Sequence, residues 1–352
     1  MSAPTILLVH PGATFSTHDV WVGLRDGLTA QGCRVVSFRL DVNLDFMARV
    51  VDLAIAHEVL AAPVDPFKMA CRGLGDMAIH MEPDAVIVVS GGNLRAEAVI
   101  TLRELAAQRK RPFPVAVYCT ESPYFGEVEG RMARFYDVCF TNERSAVAFL
   151  ADYCPRVAYL PHAYNPAIHT PGLAEPDKAC DVFFVGTGFP ERRALFDGVC
   201  WDGIAFTCLG YGWDGWEVGD TRAPQHVTPN EEVVRYYRAA AICLNHHRTT
   251  TTLEAGTHIP PGAAVSLNPR AYEIAACGAF QLMDDSRAEA SEIFGSWMPT
   301  YRHGDSGDLE RAIRHWLARP ALREEYAAAQ RAAILPHSWT ARAGDILNLL
   351  LG

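Results

Sequence analysis

The sequence has no apolar run approaching the roughly 18–20 residues needed to span a bilayer. It has no basic n-region at its start, and Ile6–Val9 is too short for a signal core. None of its ten cysteines forms a C-x-x-C pair, which removes the usual zinc and dithiol signatures. Cys119, Cys139, Cys208 and Cys243 sit in apolar surroundings. They read as reduced core residues of a cytoplasmic protein. Basic charge is in deficit: the net charge is −10. That argues against a general affinity for nucleic-acid backbone, though a local basic groove stays open. No G-x-S-x-G elbow occurs, which disfavours a Ser-His-Asp hydrolase. The loop after the first apolar run lacks G-x-G-x-x-G, the dinucleotide fingerprint.

What is present is a globular chain of 352 residues, 49% apolar and 20% charged, long enough for two domains with their own cores. Thr5–Val9, Arg34–Phe38, Ala85–Val89, Val115–Cys119, Val138–Phe140 and Val157–Leu160 read as short buried strands. Helical patterns lie between them, over about Asp19–Gln31, Asp45–Met81 (broken near Pro63–Pro66) and Ala96–Gln108. This order predicts a parallel sheet of about six strands in a doubly wound α/β half. Pro161–Asp177, with four prolines and a glycine, marks a boundary. New strands are expected at Asp181–Val185, Ala205–Leu209 and Ala241–Leu244. Helices are expected over Val233–Ala240, Leu309–Leu317, Ala321–Ile334 and a last amphipathic segment to Leu351. The expected domains are 1–165 and 177–335, with a terminal helix in 336–352.

One stretch, Ser266–Asp285, organises the second half. Asn268 can cap a helix and Pro269 suits its first position. Gly278 supplies a left-handed stop, and Phe280, Leu282 and Met283 form a strand after it. A helix N-terminus with free N–H groups and Arg270 on its first turn is an anion site. Glu273 is the one carboxylate in the apolar run. The plainer alternative is an ordinary αβ unit with Glu273 in solvent.

The run R-x-Y-E-I-x-A-C-G-A around Glu273 closely resembles the C-terminal signature of CgeB-like glycosyltransferases, a GT-B group related to glycosyltransferase family 4. Phe184-Val-Gly186-Thr-Gly188-Phe-Pro190-Glu-Arg192-Arg193 looks like the family's F-V-G-x-x-x-x-x-R opening. Tyr236-Tyr237-Arg238-x-Ala-x-Ile242-x-Leu244-Asn245 resembles its Y-x-x-A-x-I-x-L-N segment. The terminal His337-x-Trp339-x-x-Arg342 completes the order. In the first half, Glu121–Tyr124 is similar to an acidic D-S-P-Y element. The resemblance implies an α/β GT-B fold: two Rossmann-like domains facing a cleft, with the last helix crossing back to the first. One departure stands out. Retaining family 4 enzymes usually carry two Glu residues eight positions apart, and the first of these positions is Val265 here. The sugar and the stereochemical outcome stay open.

The resemblance implies glycosyl transfer from a nucleotide-diphosphate sugar, a co-substrate, with no further cofactor. Such transfer needs a stabilised leaving diphosphate and an activated acceptor hydroxyl. There is no D-x-D to hold a metal. A helix N-terminus with cations is the alternative, here the backbone after Asn268 with Arg270, and Arg192 or Arg193 from the loop of Gly186 and Gly188. A solvated helix face is the other reading of Arg192 and Arg193. Glu273 would accept hydrogen bonds from ribose or sugar hydroxyls, and Tyr211 or Phe189 would pack on the base. Glu121, at a strand end, is the first choice for the acceptor base, with His10 and His162 as runners-up; a turn-capping role competes for Glu121. Thr14, His162, Asn245 and His246 are placed at the acceptor or cleft. His246, His247, Glu254 and His258 do not read as a metal site, because T-T-T-T-L-E-A-G-T is not a stable helix. Two rivals remain. One is a glycosyltransferase acting on a hydroxylated base in DNA, with Arg103, Lys110 and Arg111 as its basic strip. The other is a non-catalytic nucleotide-sugar or glycan-binding protein.

Overall fold

The computed structural model describes residues 3–12, 16–59, 64–216, 218, 220–221, 229–249 and 263–352. The chain divides into two compact units. Met1–Pro161 and Thr340–Gly352 form the first, and His162–Trp339 the second.

The first unit runs β1 (Thr5–Val9), α1 (Ser16–Ala30), β2 (Arg34–Phe38), α2 (Leu40–Ala56), α3 (Pro66–Cys71), α4 (Gly73–Met81) and β3 (Ala85–Val89). It continues with α5 (Ala96–Ala107), β4 (Val115–Cys119), α6 (Gly126–Ala133), β5 (Val138–Thr141), α7 (Val147–Ala151) and β6 (Val157–Tyr159). The strands form one parallel sheet in the order β2-β1-β3-β4-β5-β6. Every residue of β3, β4 and β5 is buried. That is why these strands are continuous apolar runs: both sheet faces are covered, so no polar residue alternates with the apolar ones.

The second unit contains β7 (Cys180–Val185), α8 (Pro190–Asp197), β8 (Phe206–Leu209), β9 (Asp220–Thr221), α9 (Asn230–Ala239) and β10 (Ala240–Asn245). It goes on through α10 (Pro269–Ala276), β11 (Gln281–Asp284), α11 (Glu289–Phe294), β12 (Thr300–Tyr301), α12 (Ser306–Leu317) and α13 (Pro320–Ile334). Its parallel sheet has the order β12-β11-β10-β7-β8-β9. The final helix, α14 (Trp339–Leu351), lies almost wholly in the first unit.

The α/β expectation of two doubly wound parallel sheets holds. Several boundaries moved. α1 starts at Ser16, before the expected Asp19, and α12 starts at Ser306 because Asp305 caps it through the Asp308 N–H. β11 starts at Gln281 because pairing with β10 sets its edge, not the apolar run. The cysteines are free and mostly buried, with Cys200 exposed.

Both strand orders reverse direction once: between β1 and β3 in the first unit, and between β7 and β10 in the second. Ligands of open α/β sheets bind at the carboxyl ends of the strands flanking such a reversal. The sequence positions at these ends are His10 to Gly12 and Ser90 to Asn93 in one unit, and Gly186 and Asn245 to His247 in the other.

Candidate active site

In the second unit the reversal is braced by Arg192. This residue is only 5% exposed. Nη1 donates to the Thr187 carbonyl at 2.9 Å and Nη2 to the His246 carbonyl at 2.6 Å. These bonds tie the end of β7 to the end of β10. Arg193 donates to the Gly212 carbonyl. The glycines of this loop answer to packing. A Cβ on Gly188 would stand 2.3 Å from the Gly212 carbonyl oxygen, and one on Gly210 would stand 2.2 Å from that of Gly186. The loops after β7 and β8 touch backbone to backbone, which only glycine allows. Trp213 locks them to the core by donating its indole N–H to the Gly186 carbonyl at 2.7 Å. Tyr211 is 62% exposed, while Phe189 is buried beneath Arg192 and Arg248.

α10 has the expected cap. Asn268 Oδ1 accepts from the Ala271 N–H at 3.1 Å, Pro269 follows, and Gly278 (φ +72°) ends the helix. The expectation of free first-turn N–H groups needs correction. Ala271 is satisfied by the cap, Pro269 has none, and the Asn268 N–H points to His247 Nε2 at 3.4 Å. Among the described residues, the Arg270 N–H is the first-turn amide left without an acceptor. Its side chain is likewise uncommitted: the half-buried Arg270 has no ion pair there, and its Nε no hydrogen-bond partner. One turn further on, Glu273 is 9% exposed rather than in solvent. Tyr237 reaches its Oε2 at 3.4 Å.

Asn245 and His246 do not line an open surface; both are buried. Asn245 and Asn268 exchange side-chain amide bonds (3.1 and 2.7 Å), and Asn245 also donates to Gln281 Oε1 at 2.9 Å. This amide pair holds the α10 cap against the end of β10. His246 Nδ1 meets Tyr301 Oη at 2.8 Å, and its ring stacks on His303 at 4.4 Å.

Beneath them lies Asp284, fully buried and not foreseen from the sequence. Its Oδ2 accepts from the His247 backbone N–H (2.7 Å) and Nδ1 (2.8 Å). Its Oδ1 accepts from Ser286 N–H (3.1 Å), Ser286 Oγ and His303 Nδ1 (3.0 Å). Burial pushes the carboxyl up, but the charge and hydrogen bond of His247, the hydrogen bond of His303 and the charge of His246 outweigh it and hold the group well below the carboxylate range. Burial also lowers His247 to about 4, against the pull of Asp284. At neutral pH the carboxylate is ionised and the imidazole neutral. His247 therefore donates from Nδ1 and accepts the Asn268 N–H at Nε2. His246, Asp284 and His303 offer ligand atoms within 4.8 Å of one another. The Asp284 oxygens already take five donors, more than their four lone-pair sites, so a cation here would have to displace protein hydrogen bonds. Glu254 and His258 lie outside the described residues.

In the first unit, Glu121 follows β4 and is half-buried. Its N–H donates to Glu129 Oε1 at 2.9 Å, and Ser122 Oγ donates to Glu129 Oε2. Glu129, buried on α6, is the carboxylate that shapes the Glu121 turn. Its helical position eight residues on offered no sequence signal. His10 is buried. Its Nδ1 accepts the Gly12 N–H at 3.1 Å and its Nε2 meets His18 Nδ1 at 2.9 Å. Burial lowers it to about 4, with Asp41 opposing. Both nitrogens have internal partners in this arrangement. Thr14 lies outside the described residues; His162 is buried at the start of the second unit. Arg103 pairs with Asp137 at 2.9 Å. With Lys110 and Arg111 it lies near the amino-terminal end of β4, the edge of the sheet opposite Glu121.

Comparison with known proteins defines the class. Residues 192–348 match the family described as glycosyl transferase-like. With two doubly wound parallel sheets, the chain is a glycosyltransferase of the GT-B fold. It is CgeB-like: it is 23% identical to spore protein CgeB of Bacillus subtilis strain 168 over 72% of this chain and 78% of that one. Among solved structures it is similar to sucrose-phosphate synthase from Thermosynechococcus elongatus (TM-score 0.63, 12% identity, 98% of each chain). It is also similar to an alpha-glucosyltransferase in complex with UDP and a 13-mer DNA containing an A:G mismatch (TM-score 0.64, 12% identity, all of both chains). No helix among the described residues is long and apolar enough to cross a membrane.

Proposed function

We propose that the chain moves a sugar from a nucleotide-diphosphate sugar to an acceptor hydroxyl without a metal ion, and that the second unit holds the donor at the start of α10. The observation that carries this is the pair Arg270 and Glu273. Arg270 is an uncommitted guanidinium and N–H on the first turn, and Glu273 is a buried carboxylate one turn along the same helix. The cation and amide meet the diphosphate, whose charge grows as the glycosidic bond breaks. The carboxylate accepts from ribose or sugar hydroxyls. Arg192, the Asn245–Asn268 pair and the His247–Asp284 pair hold that surface rigid. Glu121, in the turn set by Glu129, takes the acceptor proton.

The DNA-acceptor reading gains little support from this chain. Its basic candidates sit at the opposite sheet edge from Glu121, and Arg103 is already neutralised by Asp137. The acceptor class proposed is therefore a hydroxyl of a sugar or small molecule. A thermal-shift screen against UDP, GDP, ADP, TDP and CDP, with and without EDTA, tests the donor reading. A nucleotide at about 100 times its dissociation constant should add roughly 2.7 kcal/mol. Stabilisation by one nucleotide that persists in EDTA is expected. A shift abolished by EDTA would overturn metal independence, and no shift with any nucleotide would overturn the donor site.

A further inference from the structure

α11 begins against the segment that enters α10. Glu289 is the first residue of α11 and is only 3% exposed. Ala288 before it offers no side-chain cap, so the first N–H of the helix needs an acceptor from outside. It donates to the Val265 carbonyl at 3.1 Å. The Glu289 side chain turns back to the same segment. Its Oε2 accepts the Leu267 N–H at 2.8 Å, and the Tyr272 hydroxyl lies 3.4 Å from that oxygen. One residue thus gives a bond to position 265 and takes one from position 267.

Apolar packing closes the same joint. Leu267 is buried in a core with Ala271 and Tyr272 of α10 and with Ala290 and Phe294 of α11. Residues 264–268 lie in neither helix nor strand, so no regular ladder stiffens them. What they lead to is the site. Asn268 follows Leu267 directly and caps α10, and Arg270 stands two residues beyond. The direction of the Arg270 N–H is set by the backbone just before it. Pro269 fixes its own φ, the cap fixes Asn268, and Glu289 fixes Leu267.

We infer that Glu289 is a positioning residue for the donor diphosphate. Its carboxyl group holds Leu267, and through Leu267 the angle at which the Arg270 N–H and guanidinium are presented. This rests on the reading of the first turn of α10 as the diphosphate site. A turn already fixed loses less conformational freedom on binding than one that must be ordered by the ligand. The effect is confined to the phosphates. Glu273 sits inside the helix, its carbonyl bonded to the Cys277 N–H at 3.1 Å, and keeps its place.

Calorimetric affinities for UDP, GDP and ADP, each beside its nucleoside, test it. The ratio of the two affinities reads what the diphosphate contributes. For the nucleotide that binds, the wild type should favour the diphosphate about tenfold or more, the size of a charge-assisted bond. Glu289→Ala removes the acceptor and should cut that ratio about three- to tenfold while the nucleoside affinity stays unchanged. Glu289→Gln keeps an oxygen for the Leu267 N–H and should hold the ratio within about twofold of the wild type. An Ala variant that loses melting temperature at an unchanged ratio would show a packing anchor only and overturn the inference. So would a Gln variant as impaired as the Ala one. Should Glu289→Ala not fold, Glu289→Asp, which draws the oxygen back by one carbon, must show the same selective fall. Arg270→Ala separates the two readings. If it leaves the wild-type ratio intact, the diphosphate site itself is misplaced, whatever Glu289 does.

Discussion

Acidification should unload the second unit through His247 in a measurable and separable way. The imidazole is lowered from its ordinary 6.5 to about 4, first by burial and then by Arg287, with Asp284 pulling the other way. Between those values the unfolded chain binds a proton that the folded chain refuses. Stability therefore rises with pH across this window and falls as the pH drops through it. At about 1.4 kcal/mol per unit, the full loss is roughly 3 kcal/mol, and the part between pH 7 and 4.5 is about 2 kcal/mol. Asp284 does not confuse the reading. Its folded value is depressed, so its contribution is present above the unfolded carboxylate range and is lost only at lower pH. The perturbation is His247→Asn, whose amide N–H keeps a donor towards Asp284 but does not titrate. Urea unfolding can be followed by tryptophan fluorescence, since every tryptophan except Trp21 lies in the second unit. Other buried histidines, His10 and His246 among them, still titrate in the variant. Its stability should nonetheless fall about 2 kcal/mol less than the wild type's between pH 7 and 4.5. Parallel pH profiles for the two proteins would refute the reasoning.

Arg270→Ala should leave the melting temperature nearly unchanged, because no described partner loses a bond. Nucleotide affinity should fall about tenfold or more, the loss of a charge-assisted bond, and an unchanged dissociation constant by calorimetry would count against the donor site. Gly188→Ala forces a Cβ to 2.3 Å from the Gly212 carbonyl and 2.8 Å from the Trp213 ring. It should cost about 1–3 kcal/mol, read as a lower urea midpoint; an unmoved midpoint would refute the loop-packing account of that glycine.

The legible part of this protein is local. Continuous apolar runs such as Ala85–Val89 and Val115–Cys119 announce strands buried on both faces. Asn268, Pro269 and Gly278 announce a capped helix, because each acts on backbone groups within a turn of itself. The motif order announces the class of enzyme. The same local reasoning overstated the anion site. The local pattern leaves the first-turn N–H groups of α10 free, yet the Asn268 side chain takes that of Ala271, and His247, just past the end of β10, takes that of Asn268.

The residues that brace the site were illegible for one reason: their partners are distant in the chain. Asp284 stands at the end of a short apolar strand, yet it gathers His247 and His303 from flanking loops. Glu129 carries no mark of its own in the sequence, yet it shapes the turn carrying Glu121. Gly188 looked like a phosphate loop, yet it makes room for Gly212. Sequence by itself determined most strand and helix placement and the enzyme class, since period, caps and motifs are short-range, but α6, α11, β9 and β12 carried no such signal. Only the tertiary structure decided which polar groups are spent on each other and which, like Arg270, are left uncommitted. Burial makes every unpaired donor costly, and pairing is settled only when the strand ends come together.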